Sequence, residues 1–267
     1  MIVSLCQMKV EDDRKRNIDK AVKMIKTSVK NNSRIVVLPE MFCCPYDNSK
    51  FPYYAEQAEE SEVLKAMSKA SKEEGTYIVA GSIPELSGGK IYNSCFVFNP
   101  EGKIIGRHRK LHLFDIDIPG KITFKESDIL TAGNEITVID TEYCKVGIAI
   151  CYDVRFPEMF KNMTLDGVKM VIIPAAFNMT TGPLHWELLM RARAVDNQVF
   201  VVAASPARDE KASYVAYGNS MVVSPWGKEL VRAEGEETVL HCNMDLMEVE
   251  KTRKELPVLN HMRKDIY

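Results

Sequence analysis

Lys145-Val146-Gly147-Ile148-Ala149-Ile150-Cys151-Tyr152-Asp153-Val154-Arg155-Phe156-Pro157-Glu158 reads as a buried strand that breaks into a polar turn and then a helix. The apolar run Val146–Ile150 is too short for a helix and ends at a thiol. Acid and base follow within a few residues, which is where a nucleophile would sit. A structural cysteine is buried and inert. A catalytic one reacts as the thiolate, so its surroundings must lower the thiol pKa or supply a base.

This strand opens the second of two similar halves. In the first half, strands are predicted at 2–7, 34–38, 77–83, 92–98 and 103–108. Helices are predicted at 12–31, with Ile18, Val22, Ile25 and Val29 at helical spacing, and at 58–74, stopped by Gly75. In the second half, strands are predicted at 145–151, 169–173, 199–204, 218–223, 229–232 and 238–243. Its helices are predicted at 155–166 and 184–196, with Pro183 in the first turn of the latter. Short words echo between halves. Val36-Val37-Leu38-Pro39 matches Ile172-Ile173-Pro174, and Asn99-Pro100-Glu101-Gly102-Lys103 matches Ser224-Pro225-Trp226-Gly227-Lys228. Each half reads strand-helix-strand-helix-strand-strand-strand, and a last strand, 238–243, follows the second. That order predicts an α/β protein of two mixed sheets, each covered by helices on one face. Packed sheet on sheet, they form a four-layer α-β-β-α sandwich. A polar stretch from Leu111 to Thr131 has no period, and loops of that length inside a domain are usually functional or disordered. The whole chain, 1–267, is expected to be one domain, with a C-terminal tail from about residue 256.

Composition excludes several classes. The formal net charge is -2 over 267 residues, with no basic patch for nucleic acid. No apolar run approaches a membrane span. The opening Met1–Met8 reads as a strand rather than a signal peptide. Seven scattered cysteines with no C-x-x-C suit free thiols in a reducing compartment, so the cytoplasm is the expected location.

Candidate chemistry collects just beyond strand ends, where ligand sites of mixed α/β sheets form. Glu40, in Leu38-Pro39-Glu40-Met41-Phe42, is a carboxylate set among apolar neighbours. Desolvation would raise its pKa toward neutrality and suit it to general-base work. Lys110, in Gly106-Arg107-His108-Arg109-Lys110-Leu111-His112, sits in a charge run that by itself is most often a solvated edge. It could instead depress the thiol pKa and hold an oxyanion. His108 and His112 leave open a metal site or a Cys-His pair, although no second ligand cluster exists. Nucleotide-loop and serine-nucleophile motifs are absent.

Three words in this order, Leu38-Pro39-Glu40, Arg109-Lys110-Leu111-His112-Leu113-Phe114 and Gly147-Ile148-Ala149-Ile150-Cys151-Tyr152-Asp153, resemble the nitrilase superfamily of carbon–nitrogen hydrolases. Within it, Asp115-Ile116-Asp117-Ile118-Pro119-Gly120-Lys121, Ala176-Phe177-Asn178-Met179-Thr180-Thr181-Gly182-Pro183 and His185-Trp186-Glu187 resemble the omega-amidase branch. The resemblance implies the αββα fold and an amidase acting on the terminal amide of 2-oxo dicarboxylic acid monoamides through a cysteine thioester. It implies Glu40, Lys110 and Cys151 as the catalytic set, with Glu126 as a second glutamate orienting Lys110. It points to the Tyr152 N–H as an oxyanion donor and to Arg155, Phe177, Thr181 and Tyr46 around the substrate. Arg155, with a planar fork that matches a carboxylate, is the expected anchor for the far end of the substrate; the bland alternative is a salt bridge to Glu158. The loop 119–127 is expected to order over the site. No metal or cofactor is implied. The expected partners are a small-molecule substrate and a second copy in a homodimer, with the C-terminal tail reaching toward the partner subunit. Neighbouring branches, such as deaminated-glutathione amidases, carbamoyl hydrolases and nitrilases, share the three catalytic residues. A catalytically silent interaction module is the alternative from another class.

Overall fold

Alternate residues of each strand in the first half point to opposite sides, and that alternation builds the layers. Val3, Leu5, Ile35, Val37, Tyr77, Val79, Cys95 and Val97 face a core shared with Val146, Ile148 and Ile172. Their neighbours Cys6, Val36, Ile78, Ala80, Phe96 and Phe98 face the opposite way, onto Ala21, Ile25, Leu64 and Met67 of two helices. A register slip of one residue would exchange the two sets. With each fully buried Val, Leu or Ile side chain worth roughly 1.5–3 kcal/mol, register is strongly fixed.

The computed structural model describes residues 1–120 and 122–266. Lys121, expected in the pocket loop, and Tyr267, at the end of the tail, lie outside the described residues. The chain runs β1 (Ile2–Gln7), α1 (Arg14–Lys30), β2 (Ser33–Val37), α2 (Phe51–Tyr54), α3 (Glu62–Glu74), β3 (Tyr77–Ser87), β4 (Lys90–Phe98) and β5 (Ile104–Arg109). A small hairpin follows, β6 (Asp115–Ile118) and β7 (Ile122–Lys125). Then come β8 (Thr137–Asp140), β9 (Lys145–Ile148), α4 (Pro157–Leu165), β10 (Met170–Pro174), α5 (Gly182–Asn197), β11 (Phe200–Ala204), β12 (Met221–Val223), β13 (Glu229–Arg232), β14 (Thr238–Asn243) and α6 (Met247–Glu255).

Two six-stranded sheets form, ordered β14-β1-β2-β3-β4-β5 and β13-β12-β11-β10-β9-β8. Each has three central parallel strands, flanked by two antiparallel strands on one side and one on the other. Helices α1 and α3 pack on the first sheet, and α5, with α4 against it, packs on the second. This is the four-layer α-β-β-α sandwich. The duplication holds with one rearrangement. The single flanking strand of the second sheet, β8, precedes β9 and has no counterpart in the sequence reading. Its equivalent in the first sheet is β14, which comes from the far end of the chain and pairs with β1 from Ile2↔Asn243 to Gln7↔Thr238.

Caps set the helix starts. Asp13 accepts from the Arg16 N–H, so α1 begins at Arg14 rather than residue 12. Ser61 accepts from the Leu64 N–H, so α3 begins at Glu62 rather than residue 58. Gly218 and Asn219 take left-handed φ of 72° and 63°, which shortens the strand predicted from residue 218 to 221–223.

Candidate active site

Glu40 leaves the end of β2 on a path fixed by its neighbour strand. At Gly81 a Cβ would lie 1.9 Å from the Pro39 carbonyl oxygen, so only glycine lets β3 approach so closely. The next residue, Ser82, accepts at Oγ from the Met41 N–H at 3.0 Å. Met41 itself has φ of 52°. This tight passage turns the Glu40 side chain inward, where it is 1 % exposed. Lys110, just past β5, is held by its N–H to the Asn93 carbonyl (2.8 Å) and by its own carbonyl, which accepts from Gly133. Glu126 begins a 3-10 turn after β7, and its Oε2 accepts from the Phe114 N–H at 2.6 Å.

These three charged groups meet in a dry site. Lys110 Nζ donates to Glu40 Oε1 at 3.0 Å and to Glu126 at 2.9 Å, with all three side chains fully buried. Tyr46 donates its phenol to Glu126 Oε1 at 2.6 Å. Asn93, also fully buried, donates Nδ2 to Glu40 Oε1 at 2.8 Å. Every donor thus converges on one oxygen of Glu40. The other, Oε2, is buried and has no hydrogen-bond partner among the described residues.

Cys151 sits beyond β9, which ends at Ile148 and not at the cysteine. The residue has φ of 46° and opens a 3-10 turn, Cys151–Arg155. A left-handed non-glycine residue costs about 1–3 kcal/mol and persists only where its surroundings enforce it. Asp153 does so here. Its buried carboxylate accepts from the Ile150 N–H (2.9 Å), from the His112 N–H and Nδ1 (3.0 and 2.8 Å), and from His108 Nε2 (3.1 Å). Burial alone would raise its pKa, but the two imidazoles and the Ile150 N–H hold it well below the usual carboxylate range. One carboxylate therefore ties the cysteine turn to the chain following Lys110. This accounts for His108 and His112, which pair with Asp153. Among the described residues, no group of three or more His, Cys, Asp or Glu is placed to hold a metal.

Burial and the Glu40 carboxylate push the Cys151 thiol well above its ordinary pKa, against the pull of Lys110 and the Ala176 N–H. Burial also raises Glu40, opposed by Lys110 and reinforced by Glu126. Burial would push Lys110 down, but Glu126 and Glu40 more than offset it and the ammonium is held firmly charged. The sequence reading expected Lys110 to depress the thiol pKa. It does pull downward, but two carboxylates outnumber the one ammonium, so a thiolate would add a second uncompensated negative charge. The arrangement sets a carboxylate beside a thiol whose ionised form burial disfavours.

A cavity of about 400 Å³ opens beside Glu40, Tyr46, Ala176 and Tyr214. Phe124 of the β6–β7 hairpin packs on Tyr46 (5.6 Å between ring centroids) and Tyr214 (5.8 Å), so the stretch read as structureless forms a hairpin against the site.

Residues 2–254 match the family model described as carbon-nitrogen hydrolase. This chain belongs to the carbon-nitrogen hydrolases. It is 50% identical over 265 residues to a Xenopus laevis protein named omega-amidase NIT2-A, covering 99% of this chain and 96% of that one. The Homo sapiens omega-amidase NIT2 is 46% identical with the same coverage. Saccharomyces cerevisiae Nit3, described as a member of branch 10 of the nitrilase superfamily, has a TM-score of 0.91 at 39% identity, covering 98% of this chain and 96% of that one.

In this carbon-nitrogen hydrolase, Glu40, Lys110, Glu126 and Tyr46 form one cluster, with Cys151 beside Glu40 and Lys110. The Tyr152 N–H, second in the 3-10 turn, donates to no group among the described residues. Arg155, Phe177 and Thr181 lie apart from the cavity wall. The Arg155 guanidinium stands 5.3 Å from the Phe177 ring centroid and 5.5 Å from that of Tyr152. No salt bridge to Glu158 forms. Thr181 has its hydroxyl proton on Asn178 Oδ1, so the donor expected for substrate is engaged within the turn.

Asn93 and Asp153 were not read as functional. A buried asparagine inside Ile91-Tyr92-Asn93-Ser94-Cys95-Phe96 is a usable signal, because strands are depleted in Asn and a buried amide needs a partner. Its hydrogen bond favours the ionised form of Glu40. Asn93→Ala is therefore expected to raise the pKa of Glu40, so the acid limb of kcat/KM moves to higher pH and more activity is lost at pH 6 than at pH 8. A uniform loss at both pH values would show that Asn93 does not tune Glu40.

Proposed function

We propose that this chain is an omega-amidase, hydrolysing the terminal amide of 2-oxoglutaramate or 2-oxosuccinamate to the oxo-acid and ammonia. Cys151 attacks the amide carbonyl while Glu40 Oε2, the lobe left free by Lys110 and Asn93, takes the thiol proton. Lys110 and the Tyr152 N–H receive the developing oxyanion. Glu40 returns the proton to nitrogen as ammonia leaves, forming a thioester. It then deprotonates a water that attacks the thioester carbonyl, and the acid departs as sulfur regains its proton. Glu126 and Tyr46 position Lys110, and the Phe124 hairpin keeps bulk water out.

The observation that carries the substrate class is Arg155. It is a guanidinium without a carboxylate partner among the described residues, and its Nε is buried and unpaired. It ends the same 3-10 turn that Cys151 begins. Four residues at about 2 Å rise place the two backbones ~8 Å apart, a span suited to a short chain with an amide at one end and a carboxylate at the other. Phe177 packs beside this guanidinium, its ring centroid 5.3 Å away. The test is ammonia release by purified protein across 2-oxoglutaramate, 2-oxosuccinamate, neutral amides, nitriles and carbamoyl compounds. The oxo-acid monoamides are expected to give the highest kcat/KM by at least about 100-fold, a salt-bridged anchor supplying several kcal/mol. Faster turnover of a nitrile or carbamoyl compound would move the chain to a neighbouring branch.

The same proposal takes 1–267 as one domain with a tail from about 256, and includes a homodimer and cytoplasmic residence. The outer face of α5 leaves Leu184 and Leu188 73% and 64% exposed, with Trp226 57% exposed as well. Leu184→Glu with Leu188→Glu is expected to halve the mass measured by light scattering. An unchanged mass would remove that face as the interface. All seven cysteines are free thiols, as a reducing compartment requires, and fractionation of cells tests the location.

A further inference from the structure

Arg155 raises a question that its lack of an acidic partner sharpens. A long cationic side chain with no carboxylate to hold it has several torsions to wander through, yet an anchor must be ordered before substrate arrives. Its polar contact is His185, whose Nδ1 lies 3.4 Å from Nη1 and 3.3 Å from Nη2. A guanidinium has donors only, so Nδ1 is the acceptor. The ring is then neutral, with its proton on Nε2. The backbone that carries the imidazole is well fixed. It lies in the first turn of α5, where the Asn178 side chain accepts from the Thr180 and Thr181 N–H groups and the His185 N–H donates to the Thr181 carbonyl at 2.9 Å. The adjacent Trp186 locks the turn by donating Nε1 to the Asn219 carbonyl at 2.7 Å.

We infer that His185 is a positioning residue for substrate selectivity: its neutral ring holds the Arg155 fork in place without neutralising it. An acid at this position would orient the guanidinium equally well but form a salt bridge, and the substrate carboxylate would have to compete with it. A neutral acceptor leaves the full positive charge for the ligand. The inference rests on the reading of Arg155 as the carboxylate anchor.

The test compares kcat/KM for 2-oxoglutaramate with that for a neutral aliphatic amide of similar length, as a ratio. His185→Ala is expected to lower this ratio about tenfold through KM, the cost of an anchor no longer ordered in advance. His185→Asn places an amide oxygen where Nδ1 stood and is expected to restore the ratio to within about threefold of wild type. His185→Asp, nearly the same shape as Asn but charged, is expected to lower it by about 100-fold or more. In the Arg155→Ala background, the three His185 variants should no longer differ from one another. Equal losses on both substrates in His185→Ala, or matching ratios for Asn and Asp, would overturn the inference while leaving the Arg155 anchor standing. An Arg155→Ala variant with an unchanged ratio would instead bring down the anchor itself, and the role of His185 with it.

Discussion

Cys151→Ala is expected to lower kcat/KM for amide hydrolysis by on the order of 10⁴-fold or more, with the fold intact. Losing the nucleophile of a covalent mechanism removes the whole pathway, since the remaining groups only bind substrate and polarise its carbonyl. The fold should survive because the loss is one sulfur atom. The strained backbone at φ of 46° is enforced by Asp153 and its four hydrogen bonds, none of which involves the thiol. The thermal midpoint should move by only a few degrees. A variant that is inactive because it is unfolded would place Cys151 in the core, not in the chemistry. Hydrolysis at the wild-type rate would remove it from the mechanism.

Lys110→Met should harm both stability and rate. Its ammonium lies between two fully buried carboxylates at 3.0 and 2.9 Å. Taking away the one cation leaves Glu40 and Glu126 facing each other in a dry site, and at least one must take up a proton. Breaking such a buried arrangement costs about 3–5 kcal/mol, a fall in Tm on the order of 10 °C for a chain of this size. The lost oxyanion donor should lower kcat by a further factor of about 10²–10³. Adding Glu126→Gln to Lys110→Met removes one of the stranded charges, and most of the stability should return while activity does not. Wild-type stability in the single variant would mean that the cluster is not ionised as described.

The candidate site was legible because each of its three main groups sits at or just past the end of a predicted strand, two of them after apolar runs and Lys110 after a charged one. The strand ending at Val37 delivers Glu40, the one ending at Arg109 delivers Lys110, and the run through Ile150 delivers Cys151. Sheet architecture was legible for the same reason, since two similar successions of elements bury similar faces. Other features depend on partners far away in the chain. Asn93 acts on a residue 53 positions earlier, and Asp153 on histidines 45 and 41 positions earlier. No local pattern marks such pairs. The pairing of β14 with β1 is likewise invisible without the fold. The hairpin at 115–125 does alternate, as Asp115-Ile116-Asp117-Ile118 and Ile122-Thr123-Phe124-Lys125, but each strand is only four residues long, the least length at which that pattern marks a strand. The upward push on the Cys151 thiol could not be read at all, because it comes from burial and from Glu40, a residue 111 positions earlier in the chain.

In the proposed mechanism Cys151 carries the acyl group between two half-reactions. The most direct measurement is acid quenching of enzyme during turnover of 2-oxoglutaramate, followed by intact-mass analysis and peptide mapping. The expected result is an adduct equal to the substrate minus ammonia, lost with hydroxylamine, on the peptide containing Cys151 and absent from Cys151→Ala. An adduct on another residue, or turnover at full rate with no adduct under conditions that trap a thioester, would contradict it.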